Sequence, residues 1–309
     1  MYGPILRAPV LRLARTPCFR WLAVETPVGR AVASRFVAGG SLDEAITVAR
    51  SLEERSIGTI LDHLGENVVE PEQAADAANA YAQALDRVGS ERGLDCAISV
   101  KLTQLGLEFS NDLCISHMER VLEAARSADA LVMIDMESSL YVDRTLAVFR
   151  DLRERHERVG IALQSYLRRT AADVEALPPD SIVRMVKGAY LEPPEVAFPT
   201  RREVDGSFAH LTATLLARGH TVHVATHDTQ LIEGTKRYLE RTRLPWSRVE
   251  FQMLYGIRRD LQDDLVAIGY PVRVYVPYGT EWYSYLSRRL AERPANMWFF
   301  LSNLLRSAR

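Results

Sequence analysis

The sequence predicts a single parallel (β/α)₈ barrel preceded by a helical N-terminal arm. Short apolar, β-branched segments recur along the chain, and segments with helical periodicity lie between them. The strand-like segments are apolar throughout, which is typical of parallel sheets that helices cover on both faces. The chain has 309 residues, which suits one barrel of about 250 residues with extensions.

Eight segments are predicted to be strands, and eight alternations of strand and helix favour a closed barrel over an open sheet. The strands are Gly58–Leu64, Ala97–Gln104, Ala130–Met136, Gly160–Ser165, Ile182–Lys187, Thr221–Thr226, Val249–Leu254 and Val272–Val276. Helices are predicted over Pro71–Arg87, Asp112–Ser127, Ser138–Arg155 and Thr229–Arg241, and again from Tyr278 to Pro294. We expect residues 1–57 to form the arm and residues 58–309 to form the barrel.

The two ends of the chain leave alternatives open. The first 36 residues carry six arginines against the single acid Glu25. This pattern fits a helical extension packed on the barrel, an organellar transit peptide or a membrane-surface helix. The Asn296–Leu305 segment, with three aromatic residues, fits core packing or a membrane-facing patch. The arginines of the first segment are Arg7, Arg12, Arg15, Arg20, Arg30 and Arg35.

Composition excludes several classes of protein. The net charge of −2 offers no general attraction for nucleic acid. Cys18, Cys96 and Cys114 are odd in number and widely spaced, which argues against a disulfide framework and favours a reducing compartment. No apolar run approaches the roughly 18 residues of a membrane span. The G-x-G-x-x-G motif of nicotinamide-binding proteins and the P-loop motif are both absent. His223 and His227 lie four residues apart on one predicted strand, which is too far for both to bind one zinc ion.

Polar side chains recur at the carboxyl ends of the predicted strands, where barrel enzymes place their chemistry. A charge within a buried strand costs several kcal/mol unless it is paired or solvated in a pocket. One such charge could be a structural ion pair, but a series of them favours a site for a charged ligand. The series comprises Asp62, Lys101, Asp135, Gln164, Arg184, Lys187, His227, Glu250, Gln252, Tyr275 and Tyr278.

A predicted helix after the eighth strand carries a second charged group. Arg288 and Glu292 are four residues apart and can pair on one face. Arg289 is adjacent to Arg288, and two guanidinium groups above a barrel mouth could clamp a carboxylate. A solvated basic stripe is the alternative interpretation.

Six segments, in order, resemble those of the proline dehydrogenase family. Arg184–Tyr190 reads R-M-V-K-G-A-Y and is similar to the family's R-x-V-K-G-A-Y, and Tyr285–Glu292 resembles its Y-x-x-R-R-x-x-E helix. The resemblance runs from about residue 58 to residue 296. The other four segments are Leu61–Glu66, Ser99–Lys101, Ala225–His227 and Phe251–Leu254.

The resemblance implies FAD bound in the barrel and oxidation of L-proline to Δ1-pyrroline-5-carboxylate. It implies electron transfer to a membrane quinone and a separate Δ1-pyrroline-5-carboxylate dehydrogenase for the product. It also implies a cytoplasmic protein and leaves open a peripheral contact with the inner face of the cell membrane.

The resemblance also implies roles for individual residues. Arg184 and Asp135 would act in catalysis, with Arg184 near flavin N5, and the helix after the eighth strand would cap the substrate. Substrate contacts would come from Lys101, Leu254, Tyr275, Tyr278, Arg288, Arg289, Glu292 and Glu66. Cofactor contacts would come from Asp135, Met136, Gln164, Arg184, Val186, Lys187, Gly188, Ala189, Tyr190, Thr226, His227 and Gln252.

Two other functions are compatible with a polar barrel mouth. A Schiff-base aldolase would use Lys101 or Lys187 as its nucleophile. A non-enzymatic binding protein would capture a carboxylate ligand with the arginine helix.

Overall fold

The computed structural model describes residues 33–65 and 68–283, together with positions 26 and 285. Eight parallel strands form a closed barrel in which each strand pairs with the next along the chain and the last pairs with the first. Helices lie between the strands in sequence and cover the barrel. The predicted (β/α)₈ fold is therefore confirmed, while most of the predicted N-terminal arm lies outside the described residues.

The strands and helices follow the predicted alternation. The strands are β1 (Gly58–His63), β2 (Cys96–Val100), β3 (Val132–Ile134), β4 (Val159–Gln164), β5 (Ile182–Val186), β6 (Thr221–Ala225), β7 (Val249–Leu254) and β8 (Val272–Tyr278). The helices are α1 (Leu42–Glu53), α2 (Pro71–Ser90), α3 (Asn111–Ser127), α4 (Val142–Arg153), α5 (Thr170–Glu175), α6 (Arg201–Ala217), α7 (Thr229–Thr242) and α8 (Arg259–Ala267). Short 3₁₀ turns, Ser139–Tyr141 and Trp246–Arg248, precede α4 and β7.

The second and third strands end earlier than their apolar patterns predict. β2 stops at Val100, whose carbonyl accepts from the Asp135 amide, and the chain then forms local turns. Within those turns the Gln104 amide donates to the Lys101 carbonyl. Lys101 and Asp135 therefore stand just beyond their strands, not inside them, and their side chains reach the open end of the barrel.

Capping side chains fix where several helices begin. Ser41 and Thr200 form capping boxes with Glu44 and Glu203 at the starts of α1 and α6. The Asp228 carboxylate accepts from the Gln230 amide at the start of α7. Because α6 and α7 begin on the side of the barrel where the strands end, these caps also help to shape the candidate site.

Residues along each strand alternate between the barrel interior and the helices. Ile60, Ala97 and Met133 pack together inside the barrel against Tyr275. Their sequence neighbours Leu61 and Ile98 belong to the main core under the helices. This two-residue period places Asp62 and Ser99 on the interior side as well.

An ion-pair network occupies the opposite, N-terminal end of the barrel. Arg273 donates to Glu250 at 2.9 and 3.0 Å and to both carboxylate oxygens of Asp95 at 2.9 Å. Gln252 donates to Glu250 at 2.7 Å. Glu250 is therefore a structural ion-pair partner of Arg273. The sequence analysis grouped Glu250 with the polar residues of the site, and for this residue that interpretation was wrong.

The sequence also led to expectations about membrane spans and about the boundary between the arm and the barrel. Within the described residues, no helix is both long and apolar enough to cross a membrane. The expected boundary between residues 57 and 58 stays a prediction. The helix before it, α1, packs on β1 and β8.

Candidate active site

A cavity of about 1310 Å³ opens at the carboxyl ends of the strands. Side chains from all eight strands, or from the residues directly after them, line it. It is larger than the roughly 300–1,000 Å³ of most small-molecule sites. The cavity can therefore hold an extended ligand, or a cofactor together with a substrate.

Asp135 is the centre of a hydrogen-bond cluster on the cavity wall. One carboxylate oxygen accepts from Ser99 Oγ at 2.9 Å and from Arg184 Nη2. The other oxygen accepts from the Tyr275 hydroxyl at 2.9 Å. Arg184 also donates to Ser99 Oγ at 2.9 Å, and its guanidinium lies 5.4 Å from the centre of the Tyr275 ring. These contacts hold Arg184 in one position although its side chain is almost fully buried.

The protonation states of this cluster follow from burial and charge. Burial, and then the Asp135 carboxylate, raise the pKa of Tyr275 well above its ordinary value, so that its hydroxyl remains a donor. Lys101 Nζ lies 2.5 Å from Asp62 Oδ1 and 3.8 Å from Asp135 Oδ2. Burial opposes the charge on Lys101, but Asp62 and Asp135 outweigh it and raise the pKa of the ammonium. Lys101 is therefore a cation, unsuited to be the neutral amine nucleophile of an aldolase.

Three buried polar atoms of cavity residues have no hydrogen-bond partner within the described part of the chain: Gln164 Oε1, Gln252 Oε1 and Arg184 Nη1. The Gln164 amide nitrogen donates to the carbonyls of Met136 and Glu137, both at 3.2 Å. The Gln252 amide nitrogen is similarly engaged, by Glu250. Because unpaired buried polar groups are costly, two acceptors and one donor here indicate a polar ligand.

A second charged group lies where β5 and β6 end. Lys187 Nζ is 2.5 Å from Asp205 Oδ1 and 3.1 Å from Asp228 Oδ2. Arg201 Nη2 also donates to Asp228 Oδ2, at 2.8 Å. The N-terminus of α7 lines the cavity at this point. Helix N-termini and cations together favour an anionic group such as a phosphate.

Gly188 allows the chain to turn sharply into the cavity wall. Its φ angle is +114°, and a Cβ atom there would lie 2.1 Å from the ring of Tyr166. A side chain at this position is excluded by both conformation and space. The backbone from Lys187 to Ala189 can therefore run directly along the cavity.

Most of the residues predicted from the sequence meet in this one cavity. Tyr278 does not line it, because it lies on the outer face of β8 with its ring 5.3 Å from that of His63. Glu66, Arg288, Arg289 and Glu292 lie outside the described residues. The cavity is lined by Lys101, Asp135, Met136, Gln164, Arg184, Val186, Lys187, Gly188, Ala189, Tyr190, Thr226, His227, Gln252, Leu254 and Tyr275.

The cavity also contains residues to which the sequence assigned no role. The sequence showed Asp62 only as a charge near the end of a strand. The structure identifies its partner, Lys101. Glu137 also lines the cavity and accepts from the Thr103 hydroxyl at 2.7 Å. Burial raises the pKa of Glu137 despite its hydrogen bonds from Thr103. Nothing in the local sequence distinguished Glu137 from a surface carboxylate.

The two histidines considered as metal ligands have other partners. β6 ends at Ala225, so His227 lies beyond the strand, where its Nε2 accepts from the Leu254 amide at 3.0 Å. His223 is buried inside the barrel with its Nδ1 2.9 Å from Gln252 Nε2. The described residues contain no group of three or more His, Cys, Asp or Glu arranged to hold a metal ion.

Comparisons with known proteins extend over the whole barrel. The family model "Proline dehydrogenase" matches residues 45–301. Proline dehydrogenase 1 of Bacillus subtilis subsp. natto is 40% identical over 277 residues, which is 89% of this chain and 91% of that protein. Proline dehydrogenase of Deinococcus radiodurans is 38% identical over 314 residues, which is 99% of this chain and 100% of that protein.

A solved structure supports the same relationship. Proline utilization A (PutA) from Bdellovibrio bacteriovorus, inactivated by N-propargylglycine, matches with a TM-score of 0.79 and 26% identity. The match covers 85% of this chain and 32% of the PutA chain. This chain therefore spans about a third of that longer protein.

The fold and the polar cavity at the strand ends define a (β/α)₈-barrel enzyme. The family model covers nearly all of that barrel, and the Deinococcus radiodurans relative aligns with 99% of the chain. The chain belongs to the proline dehydrogenase family and is an oxidoreductase. The family resemblance is therefore confirmed. Membership of this family argues against both alternatives, the Schiff-base aldolase and the non-enzymatic binding protein.

Proposed function

We propose that this protein binds FAD in the barrel cavity and oxidises L-proline to Δ1-pyrroline-5-carboxylate. The observation that carries the proposal is the set of unpaired atoms on the cavity wall of a proline dehydrogenase homologue. A flavin ring presents one N–H donor and several acceptors at its edge, which complements two amide oxygens and one guanidinium N–H. The residues present therefore fit the cofactor.

The cofactor's two ends match the two polar regions of the cavity. Arg184, Gln164 and Gln252 would hold the ring, and Asp135 would fix Arg184 in place. The N-terminus of α7 and Lys187 would hold the phosphates. Bound FAD would supply the two-electron oxidation that protein side chains lack. Further contacts are proposed for Met136, Val186, Gly188, Ala189, Tyr190, Thr226 and His227.

The substrate would be held by its carboxylate. Proline carries this group away from the carbon that is oxidised, so a cationic clamp can orient the ring without touching the reacting atoms. Lys101 supplies one cation on the cavity wall. Arg288 and Arg289 are proposed as the others, with Glu292 and Glu66 as their ion-pair partners. Leu254 and Tyr275 would pack against the ring of proline.

The electron acceptor and the next enzyme follow from the same family. We propose that a membrane quinone takes the electrons and that a separate dehydrogenase oxidises the product. This chain matches 91% of proline dehydrogenase 1 of Bacillus subtilis subsp. natto, but only 24% of the bifunctional protein PutA of Escherichia coli. The proposed location is cytoplasmic, with peripheral contact at the inner face of the cell membrane. Flotation with quinone-containing liposomes tests that contact, and failure to float rejects it.

A visible absorption spectrum of the purified protein, followed by anaerobic addition of L-proline, tests the proposed function. Flavin bands that bleach with L-proline, but not with D-proline or glycine, are the expected result. A yellow protein indifferent to L-proline would refute the substrate, and a protein that stays colourless after addition of FAD would refute the cofactor.

A further inference from the structure

Asp62 is a buried carboxylate inside the barrel with no role in the function proposed above. It follows Ile60 on the interior face of β1 and is 1% exposed. Its Oδ1 accepts a charge-assisted hydrogen bond from Lys101 Nζ, with 2.5 Å between the two atoms. A buried carboxylate is costly without a partner, so Asp62 and Lys101 depend on each other for their burial.

Lys101 needs such a partner because β2 does not extend to it. The strand ends at Val100, and the backbone then turns away. The long lysine side chain has several freely rotating bonds, and its ammonium has three N–H donors. The hydrogen bond to Asp62 fixes the ammonium on the wall and leaves further donors for a ligand in the cavity.

The other nearby carboxylate cannot replace Asp62. Asp135 Oδ2 is 3.8 Å from Lys101 Nζ, beyond hydrogen-bond distance. Both oxygens of Asp135 already accept from other groups, the guanidinium of Arg184 and the hydroxyl of Tyr275 among them. The charged or titratable groups around Lys101 are Asp62 and His63 on β1, Tyr81 on α2, Asp135 and Glu137 after β3, Arg184 on β5 and Tyr275 on β8.

We infer that Asp62 is a positioning residue that holds Lys101, in its ammonium form, at the subsite for the substrate carboxylate. The inference rests on the proposed function, in which Lys101 contacts that carboxylate. Burial alone would favour the neutral amine, and a neutral amine does not bind an anion strongly. Asp62 therefore acts through Lys101.

Asp62→Asn tests the inference because it keeps the shape of the side chain and removes its charge. The ligand is cyclopentanecarboxylate, which has the carboxylate of proline but no amine to titrate. Its inhibition constant against L-proline is measured with the flavin-loaded enzyme from pH 6 to pH 9, and its binding is checked by calorimetry. We expect a nearly constant inhibition constant for the unchanged enzyme. For Asp62→Asn we expect weakening of about tenfold between pH 7 and pH 9, as Lys101 loses its proton.

Three further variants separate a charge effect from a structural one. Asp62→Glu restores the anion and is expected to restore the flat profile. Adding Lys101→Arg to Asp62→Asn also restores it, because a guanidinium stays protonated throughout this range. Asp95→Asn, at the opposite end of the barrel, is the matched control and is expected to leave the profile unchanged.

The outcomes distinguish this inference from the proposed function. A pH profile for Asp62→Asn that parallels the unchanged enzyme overturns the inference, as does failure of the Asp62→Asn/Lys101→Arg pair to flatten the profile. If Lys101→Met binds cyclopentanecarboxylate as tightly as the unchanged enzyme, Lys101 is no carboxylate ligand and that part of the proposed function fails. Weaker binding by Lys101→Met with a flat Asp62→Asn profile refutes only the role of Asp62.

Discussion

Replacing Glu250 with glutamine measures how much the Glu250 charge contributes to stability through the ion-pair network at the N-terminal end of the barrel. Glu250 accepts two hydrogen bonds from Arg273 and one from Gln252. Burial opposes its ionisation, but His223 and Arg273, together with these hydrogen bonds, lower the pKa of Glu250 to about 2. Burial also lowers the pKa of His223, so its imidazole is neutral at pH 7 and Arg273 is the cation that matters there.

The size of the effect follows from the shift in pKa. A fall from 4.5 to about 2 corresponds to about 3 kcal/mol, and we take about 2–3 kcal/mol because His223 is neutral at pH 7. The pKa is depressed in the folded state, so this stability is fully present above the unfolded value of 4.5. It is lost as the pH falls through the folded value of about 2.

Urea unfolding of the flavin-loaded protein measures the difference between Glu250→Gln and the unchanged chain. We expect the variant to be about 2–3 kcal/mol less stable at pH 7, with the difference shrinking by about 1 kcal/mol at pH 3.5. Glu123→Gln, an exposed change on α3, is the control and should stay within about 0.5 kcal/mol. Equal stability of Glu250→Gln at pH 7, or a difference that grows in acid, would refute the reasoning.

Three further changes test the cavity itself. Gly188→Ala forces a Cβ into the Tyr166 ring at a positive φ angle, so we expect a loss of about 1–3 kcal/mol and reduced FAD content, and normal flavin content contradicts this. Tyr275→Phe removes the hydroxyl that donates to Asp135, so we expect the free energy of unfolding to fall by about 1 kcal/mol and kcat/KM to decrease. Unchanged kinetics would argue against a catalytic role for this hydrogen bond. Arg288→Lys cannot replace a bidentate guanidinium, so we expect KM for L-proline to rise about tenfold or more, and steady-state kinetics that show an unchanged KM would remove Arg288 from the clamp.

Polar residues at the predicted strand ends and the family motifs indicated most of the cavity residues from the sequence, and the alternation seen in the structure accounts for their positions. Asp62, Ser99 and Tyr275 fall on the interior phase of their strands once one interior residue is known. The same rule explains Tyr278, which is three residues after Tyr275 and therefore faces outward. The two-residue period, applied strictly, would have kept Tyr278 off the cavity wall.

Strand ends were less predictable than strand positions. The apolar pattern of the second strand continues through Leu102, so the sequence favoured a strand as far as Gln104. In the structure, Leu102 is instead buried in the main core within a series of turns, where its carbonyl accepts from the Leu107 amide. Local hydrogen bonding competed with the sheet and ended it one residue before Lys101.

The sequence by itself determined the class of fold, the order of its elements, the family and most of the side chains that line the cavity, because periodicity and motifs are local properties of the chain. The tertiary structure decided which of those side chains are partners. Asp135 and Tyr275 are 140 positions apart, and Arg184 and Ser99 are 85 apart. Only closure of the barrel brings such residues within hydrogen-bond distance, and only their burial makes each charge depend on its neighbour.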